Sequence, residues 1–206
     1  MQTSYISILL DETGSMSGQE QRVVSGINEY INTLRMKAAD KQHNYHVTLN
    51  LFDSQRWRKY YRGPLETFPL MERKDYTPGA MTPLYDAIYR TIRNVEKQTD
   101  NVKVLIIIDT DGLENASREV GQQQVFNKIK EKESEGWTFV FLGAEMSEFG
   151  GAHKAQQKMG LGLKESNSID FAHGARKKIY HRAACATNSY MDEKSNKSDE
   201  AFWERA

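Results

Sequence analysis

Two kinds of hydrophobic patterning mark the strands of this chain. Tyr5–Leu10 (YISILL), Val104–Ile108 (VLIII) and Thr138–Leu142 (TFVFL) are short, dominantly apolar runs, with Ser7 the one polar residue in their interiors. Such runs suit strands covered on both faces, as in a parallel sheet. Val47–Phe52 (VTLNLF) alternates instead and predicts a less central strand. Between these runs, apolar residues recur at helical spacing. Val23, Val24, Ile27, Tyr30, Ile31 and Leu34 mark one face, Leu84, Ile88, Ile92 and Val95 a second. Val125, Phe126 and Ile129 mark a third, ending near Gly136. Ser147–Met159 predicts a fourth helix, stopped by Gly160. Phe171–Tyr190 predicts a fifth, with Gly174 weakening its start. The segment between Gln55 and Asp75 opens with a basic and aromatic run and continues through prolines, which predicts an edge hairpin.

Strand and helix in this order predict an α/β fold: an open, mostly parallel central sheet with helices on both faces and one edge hairpin. No internal repeat and no second domain is visible. Residues 1–190 are therefore expected to form one domain, and the mixed-charge stretch 191–206 a tail.

Composition narrows the class. The 206 residues suffice for one full core. Lys+Arg and Asp+Glu both number 28, so the chain is formally neutral, which argues against a nucleic-acid backbone as main partner. One cysteine, Cys185, excludes an intrachain disulfide and fits a reducing compartment. The start MQTSYISILLDETG lacks the basic and long apolar regions of a secretory signal. No apolar run approaches the roughly 20 residues of a membrane span. A cytoplasmic location without membrane contact is the expectation. The five histidines show no zinc spacing.

In open α/β sheets, ligands bind beyond the carboxyl ends of the strands. Three segments place chemistry there: Asp11, Thr13 and Ser15 after the first run, Thr82 before the second helix, and Asp109 and Asp111 after the VLIII run. Together they supply hydroxyls and carboxylates without sulfur or imidazole, the ligand set of a hard cation such as Mg²⁺, Mn²⁺ or Ca²⁺. Each has a plainer reading. Thr82 before Pro83 is a common helix start. Asp111-Gly112 is a turn pair. Ser15 resembles a helix cap, although Ser17-Gly-Gln-Glu20 already has the capping-box pattern. Asp11 is harder to reduce to a cap, because a carboxylate ending a buried strand needs a partner. Met16 and Met81 flank these loops and are expected to pack beneath them.

The segments and their order resemble the von Willebrand factor type A domain and its metal-ion-dependent adhesion site, of the intracellular, bacterial or phage-like type. That pattern is D-x-S-x-S, then a threonine in a later loop, then an aspartate after the fourth strand. Here it reads Asp11, Thr13, Ser15, then Thr82 in GAMTPLYDAI, then Asp111 in VLIIIDTDGLENAS. By motif order the resemblance covers roughly residues 4–142. Thr13 departs from the usual serine but keeps the hydroxyl. The resemblance implies that Ser15 and Thr13 bind Mg²⁺ (or Mn²⁺ or Ca²⁺) directly and Thr82 directly or through water. Asp11 and Asp111 would act partly through water or through the hydroxyls. It further implies a non-catalytic module whose metal captures an Asp or Glu of a protein partner. Relatives of this type often work beside AAA-type ATPases or other assemblies.

Two other functions compete. A strand-end aspartate also begins the D-x-D pattern of haloacid-dehalogenase-type phosphohydrolases, with Asp11 as nucleophile. Thr13 stands where that chemistry needs a second aspartate as general acid. No phosphate-binding glycine loop is present. Arg56–Arg62 interleaves bases with aromatics, as nucleic-acid stacking surfaces do, and Arg176, Lys177, Lys178 and Arg182 form a second basic cluster. Both clusters also read as solvated faces, and overall neutrality favours that reading.

Overall fold

The three apolar runs form the middle of a single sheet. In the computed structural model, which describes residues 3–41, 43–99, 102–192 and 202–205, there are six strands. These are β1 (Thr3–Asp11), β2 (Asn44–Phe52), β3 (Trp57–Pro64), β4 (Val104–Thr110), β5 (Thr138–Ala144) and β6 (Ser168–Phe171). Their order is β3-β2-β1-β4-β5-β6. Only the β2–β3 pair is antiparallel. All seven residues of β4, at the centre, are buried.

The helices are α1 (Glu20–Lys41), α2 (Leu84–Glu96), α3 (Gln122–Ser134), α4 (Ala152–Lys158) and α5 (Arg176–Asp192). Alternation along β1 divides them into two layers. Ile6, Ile8 and Leu10 share a core with α1 and α5, while Tyr5 and Leu9 share one with α2, α3 and α4. No helix among the described residues is long and apolar enough to cross a membrane.

Four local expectations need correction. The edge hairpin is made by β2 and β3, with its turn at Asp53–Arg56, and not within residues 55–75. The second half of that segment forms short 3-10 turns that dock on α1. There Arg35 donates to the carbonyls of Leu65 and Phe68, and Asn28 bonds Met71 in both directions. The fourth helix is split: a 3-10 turn covers Met146–Phe149, and α4 starts at Ala152. Gly150 and Gly151 between them take φ of 84° and 97°, outside helical space. α5 begins at Arg176, because 168–171 is taken into the sheet as β6. That strand is short and only one of its residues is buried, so no apolar run announced it. The Ser17 capping box is absent: Ser17 closes a 3-10 turn, and α1 starts only at Glu20, where the Val23 N–H bonds the Gln19 carbonyl.

Of the stretch 191–206, residues 193–201 and 206 lie outside the described residues. Phe202 and Trp203 are buried against α5, where Arg182 donates to the Trp203 carbonyl at 2.8 Å.

α1 and α5 meet at Gly26. A Cβ there would stand 2.9 Å from Tyr180 Cδ2 and 3.1 Å from Arg176 Cγ. Ala in a helix ordinarily gains about 1 kcal/mol over Gly. Here overpacking against two buried side chains costs about 1–3 kcal/mol and wins. Gly26→Ala is expected to lower stability in urea denaturation; a gain would show that α5 yields freely.

Candidate metal centre

β1 delivers Asp11 fully buried to the carboxyl edge of the sheet, beside the end of β4. One carboxylate oxygen accepts the Thr13 N–H at 2.7 Å. The other accepts the Thr110 hydroxyl at 2.5 Å. The Tyr76 hydroxyl donates to the Asp11 carbonyl at 2.5 Å. Burial nonetheless dominates and pushes the Asp11 carboxyl up to about 7.

The hydroxyls predicted from the sequence lie next to one another above it. Thr82 Oγ1 donates to Thr13 Oγ1 at 3.3 Å, and Thr13 Oγ1 and Ser15 Oγ are 3.2 Å apart. Ser15 Oγ donates to Asp111 Oδ1 at 2.5 Å. Thr13 and Thr82 are buried, whereas Ser15 is exposed, so the row opens to solvent at one end. The Asp111 carboxyl is also raised, chiefly by burial.

All five predicted residues, Asp11, Thr13, Ser15, Thr82 and Asp111, thus converge from three loops. Their donor set fits a hard cation: three neutral hydroxyls and two carboxylates, all oxygen. Among the described residues no cluster of three or more His, Cys, Asp or Glu side chains could hold a metal ion. Gly112 keeps the space clear. A Cβ on it would stand 3.3 Å from Thr82 Oγ1 and 3.5 Å from Ser15 Oγ.

The plainer reading of Thr82 fails on geometry. Its hydroxyl caps nothing; Pro83 precedes α2, and the first free N–H groups are satisfied from another loop. Tyr85 N–H donates to Glu114 and Asp86 N–H to Ser117. Asn115 fixes Thr82 on both sides, accepting its N–H at 2.8 Å and donating its own backbone N–H to the Thr82 carbonyl. The loop before Thr82 is pinned to the Asp11 loop in turn. The buried Glu12 carboxylate accepts from Thr77 N–H and Arg58, and Gly14 N–H donates to Ala80, which takes a φ of 59°.

Asp109 stands apart from this group. It faces the other layer, where Arg176 and the Tyr180 hydroxyl bond its Oδ2. Arg176 is therefore a buried ion-pair partner and not part of a solvated basic face. Met16 packs beneath the loops as expected, but Met81 is 53% exposed and flanks the open side. Sequence reasoning missed Thr110, Asn115 and Glu114, although all three sit in the quoted DTDGLENAS stretch. It also missed His173, whose Nε2 lies 3.8 Å from Asp111 Oδ2. Burial lowers the His173 pKa, with Arg176 adding to the effect.

No protein-family model matches the chain, and a search of curated proteins returns no match. Solved structures do match. The vWF domain of the type V pili tip protein Mfa5 from Porphyromonas gingivalis superposes with a TM-score of 0.73 at 11% identity, covering 94% of this chain and 97% of that one. The chain has a von Willebrand factor type A-like fold. The pilus adhesin SpaC from Lactobacillus rhamnosus GG, in its open conformation, gives 0.69 at 13% identity over 93% of this chain. Proximal thread matrix protein 1 from the mussel byssus gives 0.59 at 13% identity over 89%. The match spans 30% of the adhesin and 45% of the byssus protein. At these identities the likeness is one of fold.

Thr110→Val keeps the shape of the side chain and removes the donor to Asp11. Leaving a buried acceptor unpaired costs about 1–3 kcal/mol. The variant is expected to lose stability in that range by urea denaturation, and an unchanged midpoint would mean that Asp11 finds another partner.

Proposed function

We propose that the chain is a non-catalytic protein-binding module that depends on a divalent cation, Mg²⁺ or alternatively Mn²⁺ or Ca²⁺. The observation that carries the reading is the row of Thr82, Thr13 and Ser15 hydroxyls ending on Asp111, none of which caps a helix. Thr13, Ser15, Thr82 and Asp111 would hold the cation, and Asp11 would orient Thr13 from below through its backbone N–H. Neutral hydroxyl ligands leave much of a cation's charge unquenched, so a bound cation supplies an attraction for one further anionic oxygen. An Asp or Glu of a protein partner provides it. Without the cation, Asp11 and Asp111 repel that same carboxylate. The exposed Met81 gives the partner an apolar contact at the rim. The adhesin and pilus names of the structural neighbours are compatible with a binding role. A phosphohydrolase reading is weaker, because Thr13 holds the position of the general acid and its hydroxyl is tied into the row.

Calorimetric titration of chelator-treated protein with Mg²⁺ and Mn²⁺ is expected to give one site, lost in Ser15→Ala and Asp111→Ala. Because Thr82 is no cap, Thr82→Asn is expected to fold normally and to bind poorly. Protons compete for Asp11, whose carboxyl sits at about 7 in the free protein. The cation favours the ionised form, so apparent affinity is expected to rise from pH 6 to pH 8. Capture of a partner from lysate should require Mg²⁺ and fail in chelator. Identical titrations for wild type and Asp111→Ala would overturn the assignment.

A further inference from the structure

α2 packs on β1, and beside it β2 and β3 turn polar side chains to the same side of the sheet. On β2 these are His46, Thr48 and Asn50, aligned with Tyr5, Ser7 and Leu9 of β1. On β3 they are Trp57, Lys59 and Arg62. Strict alternation from Trp57 and Lys59 would have brought Tyr61 to this face. The register shift between Leu49 and Asn50 pairs Lys59 with Asn50 and Tyr61 with Leu49, leaving Tyr60 as the extra residue. Arg62, opposite Thr48, joins Lys59 as a result.

Two contiguous cavities follow, of about 260 and 300 Å³, which share Tyr5, Arg62 and Gln98. No carboxylate lines either one, in a chain with equal numbers of acids and bases. Lys59, Arg62 and Lys97 line them, exposed and without an ion pair among the described residues. Asn50 is 3% exposed, lines the 260 Å³ cavity beside Lys59, and its amide has no hydrogen-bond partner among the described residues. His46 lines the 300 Å³ cavity beside Lys97, and its Nε2 is buried behind that wall without a partner among the described residues. Buried polar groups are ordinarily satisfied, so the unpaired Asn50 amide beside cations without a counter-charge marks a place for an anion.

We propose that this groove binds a small phosphate-bearing anion, with Lys59, Arg62 and Lys97 supplying charge and Asn50 a buried amide donor. Arg62 lines both cavities, with Lys59 in one and Lys97 in the other, so the groove offers positive charge along its length, and the guanidinium fork of Arg62 matches phosphate geometry. Single-stranded nucleic acid fits less well, because it needs free aromatic faces. The Arg90 guanidinium already lies 5.5 Å from the Trp57 ring centroid, and Tyr60 and Tyr61 pack against Phe68. The site is independent of the proposed metal centre.

Titration calorimetry of inorganic pyrophosphate and of adenosine monophosphate into the full chain, in EDTA, tests this. One binding event per chain is expected for at least one probe. Arg62→Gln and Lys97→Gln, both on the surface, should each weaken it about tenfold, the scale of a charge-assisted contact. Asn50→Leu should weaken it without a change in net charge, and Lys178→Gln, on the exposed side of α5, should leave it unchanged. Failure of both probes to bind overturns the proposal. So does unchanged affinity in Asn50→Leu, or a loss in Lys178→Gln equal to that in Arg62→Gln. An oligothymidylate or an acidic peptide that binds through Arg62 when neither probe does would also overturn it, and would assign the groove to that polymer. EDTA keeps the result separate from the metal reading, which stands or falls on Ser15 and Asp111.

Discussion

Asp11 brings a carboxylate to the end of a buried strand, in a place where an unpaired charge would cost several kcal/mol. The surrounding loops are arranged around satisfying it. Its two oxygens draw in Thr13 N–H and the Thr110 hydroxyl, which ties the loop after β1 to the end of β4. Tyr76 bonds its carbonyl and brings in the chain that leads to Thr82. Three loops far apart in sequence therefore meet over one group. Even so, burial outweighs these hydrogen bonds and leaves the carboxyl raised. A nearby positive charge would reverse that balance, which is the physical motive for placing a cation here.

The opposite layer solves the same problem in another way. Asp109 is two residues from Asp111 and as fully buried as Asp11, yet it turns toward α5 and takes Arg176 as its own internal cation, with Tyr180 as a second donor. The pair joins the sheet to α5 at the helix's first turn. Gly26 lets α1 approach at that point. One strand end thus carries two aspartates with different tasks. Asp109 is spent on internal packing, and Asp111 is left at the open end of the hydroxyl row.

The sheet was legible because its central strands are buried on both faces and so read as dominantly apolar runs, even with the buried Ser7 inside β1. The ligand candidates were legible because Asp11, Thr13 and Ser15 cluster just after one apolar run, although Ser15 reaches the row from a 3-10 turn and not from extended backbone, and because Asp111 directly follows β4. What escaped the sequence depends on tertiary partners. Thr82 beside Pro83 looks like a cap, and only the positions of Glu114 and Ser117 show that α2 is capped from elsewhere. Arg176 heads a basic run and looks solvated; its partner is 67 residues away. β6 carries one buried residue in four, too little to register as a strand. The basic and aromatic run at 56–62 divides between two faces only because of a bulge, which no periodicity in the sequence announces.

The central claim is that the hydroxyl row over Asp11 is a cation site. A crystal of the protein grown with Mn²⁺, with anomalous scattering recorded, measures it most directly. The account predicts one strong anomalous peak within coordination distance of Ser15 Oγ, Thr13 Oγ1 and an oxygen of Thr82 or Asp111, or of a water bound to them. Well-diffracting crystals with no peak there, or with the Thr82–Thr13–Ser15 hydrogen bonds unchanged at saturating Mn²⁺, would contradict it.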